Sequence, residues 1–356
     1  MAVNPTWFTA RVQDKVRNKT LYLIGTGPGR PTNCRWPSGV PFNGLILMIY
    51  TVTLNPALDR AVFVEELKFD DLNRIKVEAT YAGGKGIDVS RAIKELGGQS
   101  IALGLVGGFS GLELQGRLIN EGITCDFVTI AEEVRTNIIV KDCSTKRQML
   151  LSAPGPEVRP QDVAAIYNKV ARLCPAPGFV VMGGSLPRCI TPNIYAQFIK
   201  VVVNQGGKAV LDADDEPLRL GLEAKPHIIK PNIHELSRLA GRDIKGMRDI
   251  LSIARELNRA GVEIVVVTLG KKGLVLVSEG IAIHCTPPRV RVISAVGAGD
   301  SALAGLVLSL SQGRSLKEAA VFATAAGTAA TLSPGTELCH KEDVERLVPK
   351  IKVREL

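Results

Sequence analysis

Short apolar runs alternate with longer amphipathic stretches over most of this chain. Met48 to Thr53 is an apolar run closed by the turn residues Asn55 and Pro56. Ser100 to Val106, Phe179 to Met182, Ala209 to Leu211, His227 to Ile229 and Ile264 to Val267 are similar runs. They lack a polar face, as strands buried on both sides do. Helices are predicted between them. Ile87 to Leu96 carries helical spacing and is stopped by Gly97-Gly98. Ser110-x-x-Glu113 reads as a capping box opening a helix that ends near Gly122. Pro160 and Pro192 stand where helices begin, with Thr191 capping the second. A further helix spans about Asp249 to Ala260, and the Ala-rich sequence from Asp300 to about Leu332 predicts buried helices. Buried strands separated by helices predict an α/β fold: a doubly wound, mostly parallel sheet with helices on both faces.

Two segments break the pattern. Residues 61 to 81 and 134 to 151 mix polar and β-branched residues, as in Thr136 to Val140 and Arg147 to Leu151, joined by a polar turn at Asp142 to Lys146. They predict hairpin strands with one wet face, forming a small separate sheet. Residues 1 to 47 fit neither pattern. Both Trp residues, Trp7 and Trp36, lie there. Leu21 to Gly29 resembles a strand followed by a glycine-rich phosphate turn, but Pro31 and Pro37 fall where its helix should begin. No secretory signal is readable. The stretch is expected to be a poorly ordered extension of unknown role before a domain spanning 48 to 356, and Met48 is a candidate natural start.

Charge sharpens this division. The formal net charge is +9, which invites a nucleic-acid reading. Residues 1 to 47 carry six basic residues and one acid, a net of +5, which leaves +4 for the rest. Aromatics are 4% of the chain and no recognition motif is present, so nucleic acid is not an expected partner. No stretch reaches the roughly 18 apolar residues of a membrane-spanning helix, so a membrane is not expected either. The seven Cys are scattered without a C-x-x-C pair, which argues for reduced thiols in a cytoplasmic setting and against a zinc site.

Five constellations carry chemistry, and all fall beyond the carboxyl ends of predicted strands, where open α/β sheets bind ligands. The strongest is Val296-Gly297-Ala298-Gly299-Asp300, a small-residue turn entering a long apolar helix. Backbone N–H groups at such a start bind anions, and Gly297 and Gly299 let a phosphate approach closely. Asp300 beside them could accept a proton from a hydroxyl attacking that phosphate, or could simply favour the helix dipole. Ala82-Gly83-Gly84-Lys85-Gly86 also opens a helix and suits a polyhydroxylated or phosphorylated ligand, although it is no Walker loop. Lys230-Pro231-Asn232-Ile233-His234-Glu235 follows a strand and doubles as a capping box. Thr268-Leu269-Gly270-Lys271-Lys272-Gly273 is a Gly-flanked turn, and Thr53-Leu54-Asn55-Pro56-Ala57-Leu58-Asp59 places Asp59 after the first strand.

From Met48 to about Val348 the chain resembles the ribokinase-like sugar kinases of the phosphofructokinase-B branch, nearest the group of 1-phosphofructokinase and tagatose-6-phosphate kinase. The five constellations carry the resemblance, together with Gly184-Ser185-Leu186-Pro187 and Ala329 to Thr336. It implies ATP-dependent phosphorylation of a phosphorylated ketohexose, fructose 1-phosphate to fructose 1,6-bisphosphate, with tagatose 6-phosphate or fructose 6-phosphate as alternative acceptors. Asp300 would be the base, with the amides of Gly297, Ala298 and Gly299 as the anion hole. Asp59, Gly83, Gly84, Lys85, Asp88 and Ser185 would line the sugar site, and Arg135 would reach the sugar's phosphate. Lys230, Asn232, Thr268, Gly270 and Gly273 would hold the nucleotide. Glu235 and Asp212 would serve Mg²⁺ through water or phosphates, and Ser294, Val296, Ala330, Ser333 and Gly335 match a loop that holds a monovalent cation such as K⁺. The small sheet would act as a lid and pair two copies into a homodimer.

Two departures stand out. The resembled family usually has Asn where this chain has Asp88, and an acid beside a sugar phosphate repels it unless Lys85 or Arg135 compensates. Ala295 stands where Thr or Ser is common, which bears on the cation loop. The rival reading from another class is a catalytically inactive sugar-phosphate-binding regulator.

Overall fold

The computed structural model describes residues 47–173 and 178–356. The expectations for residues 1–46, and two of the seven Cys, Cys34 and Cys174, lie outside the described residues. The chain opens with β1 (Ile49–Thr53), enters a small sheet as β2 (Ala57–Val64) and β3 (Ile75–Gly83), and returns through α1 (Lys85–Glu95) to β4 (Ile101–Val106). α2 (Gly108–Asn120) leads to the short strands β5 (Thr124–Cys125) and β6 (Val128–Thr129), and β7 (Arg135–Asp142) with β8 (Gln148–Leu151) completes the small sheet. Then follow α3 (Pro160–Ala171), β9 (Phe179–Gly183), α4 (Ile194–Asn204), β10 (Lys208–Asp212), α5 (Asp215–Leu222), β11 (Ile228–Ile229), α6 (Ile233–Ala240), α7 (Met247–Arg259) and β12 (Ile264–Thr268). The antiparallel pair β13 (Leu274–Ser278) and β14 (Ile281–Thr286) precedes α8 (Ala298–Ser311), α9 (Leu316–Ala330), α10 (Lys341–Leu347) and β15 (Lys352–Glu355).

The large sheet runs in the order β15-β14-β13-β12-β11-β10-β9-β1-β4-β5, with β6 also beside β4. Strands β12 through β5 along that order are parallel, and β13, β14 and β15 form an antiparallel flank. Alternation along one strand explains the two layers of helices. On β9, Val180 and Met182 enter a core with Phe198 of α4 and Ile253 of α7, while Phe179 and Val181 enter a second core with Leu303 of α8 and Ala323 of α9. A sheet apolar on both faces must be covered on both, as its sequence predicted.

The small sheet has the order β3-β2-β7-β8: two antiparallel hairpins joined through a parallel β2–β7 pair. It begins at Ala57, earlier than its polar pattern suggested, so Asp59, which follows the first strand, lies on β2 of this sheet. Two helix starts also differ from the sequence reading. α2 is capped by Gly107, and Ser110 gives its N–H and hydroxyl to Glu133 (2.9 and 2.8 Å). Glu113 is committed to Arg117 and Arg60. A carboxylate from the next segment thus outcompetes the local capping box. α4 begins at Ile194 with Asn193 at its cap, and Thr191 donates its hydroxyl to the Asn193 side chain (2.7 Å) instead of capping the helix.

Candidate active site

The carboxyl ends of β1, β9, β10, β11 and β12 meet one cleft edge, and the loops beyond them bring the predicted residues together. Gly297 caps α8 with φ 75°, in the left-handed region that favours glycine, and a Cβ there would meet Leu338 at 2.6 Å. The first strong intrahelical bond is Ser301 N–H to Gly297 O (2.9 Å), so the amides of Gly299 and Asp300 precede the helical ladder and are directed to its mouth. A methyl on Gly299 would lie 3.3 Å from Lys230 Nζ. That places an ammonium against the same turn. Burial first, and then the nearby Asp212 charge, push the Asp300 carboxyl up to about 6, although Lys230 and Lys85 pull the other way. An acid poised there is ionised at neutral pH yet basic enough to accept a proton.

Asp212, at the end of β10, organises the cations. Its Oδ1 accepts from Lys85 Nζ (2.9 Å) and its Oδ2 pairs with Lys230 Nζ (3.0 Å). Burial alone would raise its pKa, but the two lysines hold the carboxyl below the ordinary range. The same pairing raises Lys85 despite the opposing effect of burial. Each oxygen of Asp212 thus faces a lysine ammonium, and the carboxylate positions two cationic side chains at the cleft.

Gly84 caps α1 at φ 117°, and a Cβ there would collide with Thr53 Cγ2 at 2.7 Å. Gly83 has no room for a side chain because Asp59 Oδ2 would lie 2.6 Å from its Cβ. These glycines let the loop lie flat against β1 and β2. Asp59 accepts a hydrogen bond from Asn137 Nδ2 of β7 (2.8 Å), and burial raises its pKa against that bond and the field of Arg135. Arg135 donates to the carbonyls of Ala153 (2.8 Å) and Asn55 (3.2 Å) and reaches Ser185 Oγ at 3.5 Å. Its Nε is buried with no hydrogen-bond partner.

Asp88 is half-buried near Asp300, and desolvation first and that neighbour second raise it well above the ordinary range. The cation that compensates it is neither of the two expected. Lys85 is committed to Asp212, and Arg135 faces carbonyls and the field of Asp59. Arg91, one turn along α1, meets Asp88 Oδ1 at 3.5 Å and Glu121 Oε2 at 2.9 Å, donates to the Ala82 carbonyl (3.2 Å), and lies over the Tyr81 ring of β3 (5.7 Å). Sequence reasoning missed Arg91, although Asp88-x-x-Arg91 has the spacing of a helical ion pair. It also missed Asn137 and Asn55, whose partners are distant in sequence.

The expected nucleotide segments are adjacent. Asn232 bridges to Thr268, whose N–H donates to Pro231 O (3.0 Å). Asn232 caps α6 by accepting from the N–H groups of His234 and Glu235, and Glu235 Oε2 accepts from the Asn232 N–H (2.8 Å). The capping box is thus realised, with one oxygen of the buried Glu235 outside it. Gly270 and Gly273 flank the turn after β12, and Gly273 is required by packing: its φ is 87° and a Cβ would meet Cys285 O at 1.9 Å. The cation-loop residues also converge. Ser294 Oγ donates to Gly335 O (2.9 Å) and accepts from Val296 N–H (3.2 Å), while Ser333 N–H reaches Ala330 O (3.3 Å). Thr336 Oγ1, beside them in sequence, is buried with no hydrogen-bond partner. Oxygen donors and an orphaned hydroxyl fit a monovalent cation. Among the described residues no group of three or more His, Cys, Asp or Glu could hold a metal ion.

The profile of the pfkB family carbohydrate kinases matches residues 52–343. The chain belongs to that family. It is therefore a phosphotransferase acting on an alcohol group. It is 33% identical over 310 residues to a 1-phosphofructokinase of Borreliella burgdorferi, covering 87% of this chain and 99% of that one. The crystal structure of phosphofructokinase-2 from Escherichia coli in complex with potassium superposes with a TM-score of 0.82 at 32% identity, covering 85% of this chain and 98% of that one. A ribokinase of Arabidopsis thaliana shares the fold, with a TM-score of 0.70 at 23% identity over 85% of this chain and 99% of that one. No helix among the described residues is long and apolar enough to cross a membrane.

Proposed function

We propose that this kinase transfers the γ-phosphoryl group of ATP to fructose 1-phosphate, giving fructose 1,6-bisphosphate. The observation that carries the reading is Asp300 in the first turn of α8, beside outward-directed amides and Lys230, with its carboxyl pushed up to about 6. In this reading the carboxylate takes the proton of the attacking sugar hydroxyl. The amides at the α8 mouth, including Gly299, offset charge developing on the transferring group, as backbone donors at helix N-termini do. Lys85 and Lys230, held in place by Asp212, supply positive charge where anionic substrates meet. Asp59, Asp88 and the Gly83–Gly84 turn would orient sugar hydroxyls. Ser185 and Arg135 would meet the existing phosphate, and the unpartnered Arg135 Nε leaves one donor for it. Asn232, Thr268 and Gly270 would border the nucleotide. Mg²⁺ would supply phosphate-charge neutralisation, with Glu235 as its protein neighbour. The Ser294–Gly335 loop fits K⁺, and the relative solved with potassium supports this.

The 1-phosphofructokinase relative favours fructose 1-phosphate, and tagatose 6-phosphate and fructose 6-phosphate are the competing acceptors. An inactive regulator is disfavoured by the intact Gly297–Asp300 turn. The enzyme would work in the reducing cytoplasm, as a homodimer joined through the lid sheet. Exposed Ile75, Val77, Leu150 and Leu151 on β3 and β8 support that pairing; a monomer in sedimentation at micromolar concentration would end it. ADP release measured across the three sugar phosphates tests the substrate. A kcat/KM highest for fructose 1-phosphate supports the proposal, and a preference for either 6-phosphate replaces it.

A further inference from the structure

A large groove lies away from the catalytic cleft. It runs along α7 at the end of β12 opposite Thr268, is walled by the β13–β14 turn, and encloses about 1070 Å³. Arg248, Arg255 and Arg259 of α7 line it. Their spacings of seven and four residues put them on one face of the helix. All three are exposed, and none has an ion pair or side-chain hydrogen bond among the described residues. The neighbouring helices behave differently: Arg219 of α5 and Arg238 of α6 each meet two carboxylates. Of the acids lining the groove, Glu263 is taken by His227 Nδ1 (2.8 Å). Glu279, on the turn, is left to face the arginines across the groove. A fourth cation, Lys225, lies with its stem against Gly261 at the groove wall.

We infer that this groove binds an organic phosphate with two separated anionic groups, at a site remote from catalysis. Guanidinium groups match phosphate oxygens in paired hydrogen bonds, and leaving three of them unpaired on one wall keeps them available. At about 1.5 Å of rise per residue, Arg255 and Arg259 are about 6 Å apart along α7, and Arg248 and Arg255 about 10 Å. That range covers the phosphates of a polyphosphate nucleotide and those at the two ends of a sugar bisphosphate. Glu279 on the facing wall can accept from hydroxyls of the ligand. The groove shares no residue with the proposed catalytic machinery, so the inference stands apart from the substrate assignment.

Calorimetry on the full chain tests it, with ATP and fructose 1,6-bisphosphate as separate probes and with the Arg255→Gln/Arg259→Gln double variant as the comparison. The expected result is a second bound equivalent of one probe per chain in the wild type. Its affinity falls at least tenfold in the Gln variant and less in Arg255→Lys/Arg259→Lys, while turnover stays within twofold. The probe that fills the second site identifies the source. One equivalent per chain with both probes, or a second equivalent indifferent to the Gln substitutions, overturns the inference and leaves the arginines as a solvated helix face.

Discussion

Replacing Asp212 with Asn isolates the electrostatic centre of the cleft. The wild-type carboxylate meets Lys85 at 2.9 Å and Lys230 at 3.0 Å. At an effective dielectric near 20, each pair attracts by about 5–6 kcal/mol. Desolvation of three ions offsets most of that, so the intact group is near balance, but removing one partner of a buried pair costs about 3–5 kcal/mol. Lys85 is 33% exposed and can recover water, whereas Lys230 is 6% exposed and cannot. The expected loss is therefore about 3 kcal/mol, at the low end. For a unit of roughly 300 residues, with about 2.1 cal/mol/K of unfolding entropy per residue, that lowers Tm by about 5 °C. Asp212 has a folded pKa below its ordinary 3.8, so its contribution is present above that pH and lost as the pH falls through the folded value. Urea unfolding of wild type and Asp212→Asn at pH 7 should show the full difference, which shrinks below about pH 4. Adding Lys230→Met should recover most of the loss, because the stranded charge goes with it. A loss under about 1 kcal/mol, or one that Lys230→Met deepens additively, would refute the reasoning.

Four other outcomes follow from the same geometry. The acid limb of kcat/KM should lie near pH 6, since Asp300 must be ionised to act; a limb below pH 5 contradicts its burial. That raised pKa also costs the native state as pH rises from about 4 to 6, so Asp300→Asn should be more stable than wild type at pH 7.5, by up to about 3 kcal/mol in urea titration, and indistinguishable below pH 4. Gly83→Ala drives a methyl against Asp59 Oδ2 and should lower kcat/KM for the sugar phosphate about tenfold or more with KM for ATP unchanged. Arg91→Gln strands Asp88 and Glu121 and should cost about 2–3 kcal/mol, most of it restored by Asp88→Asn in the same chain; a thermal melt of the two variants decides it.

The parallel sheet was legible because its strands are apolar on both faces and its helices intervene at regular intervals. The small sheet was legible because its polar alternation departs from that pattern. The glycine turns could be read because positive φ and close approach leave few alternatives, as at Gly84 and Gly297. What could not be read was decided by partners remote in sequence. Lys85 and Asp212 are 127 positions apart, and spacing says nothing about such a pair. Ser110 and Glu113 had every local sign of a capping box, yet Glu133 claimed Ser110. The pairing of Asp88 with Arg91 was within reach, because both lie on one helix three residues apart. The antiparallel flank of β13, β14 and β15 escaped the βα pattern for a simpler reason: no helix separates β13 from β14.

The central claim is that Asp300 takes the proton from the sugar-phosphate hydroxyl. Single-turnover ADP formation with ATP and fructose 1-phosphate, comparing wild type with Asp300→Asn, tests it most directly when sugar-phosphate binding is measured on the same samples. The account predicts a loss of about 10²- to 10⁴-fold in the rate, with fructose 1-phosphate still bound within a few-fold of wild type. A variant that binds the sugar phosphate and turns it over within tenfold of the wild-type rate would contradict the account.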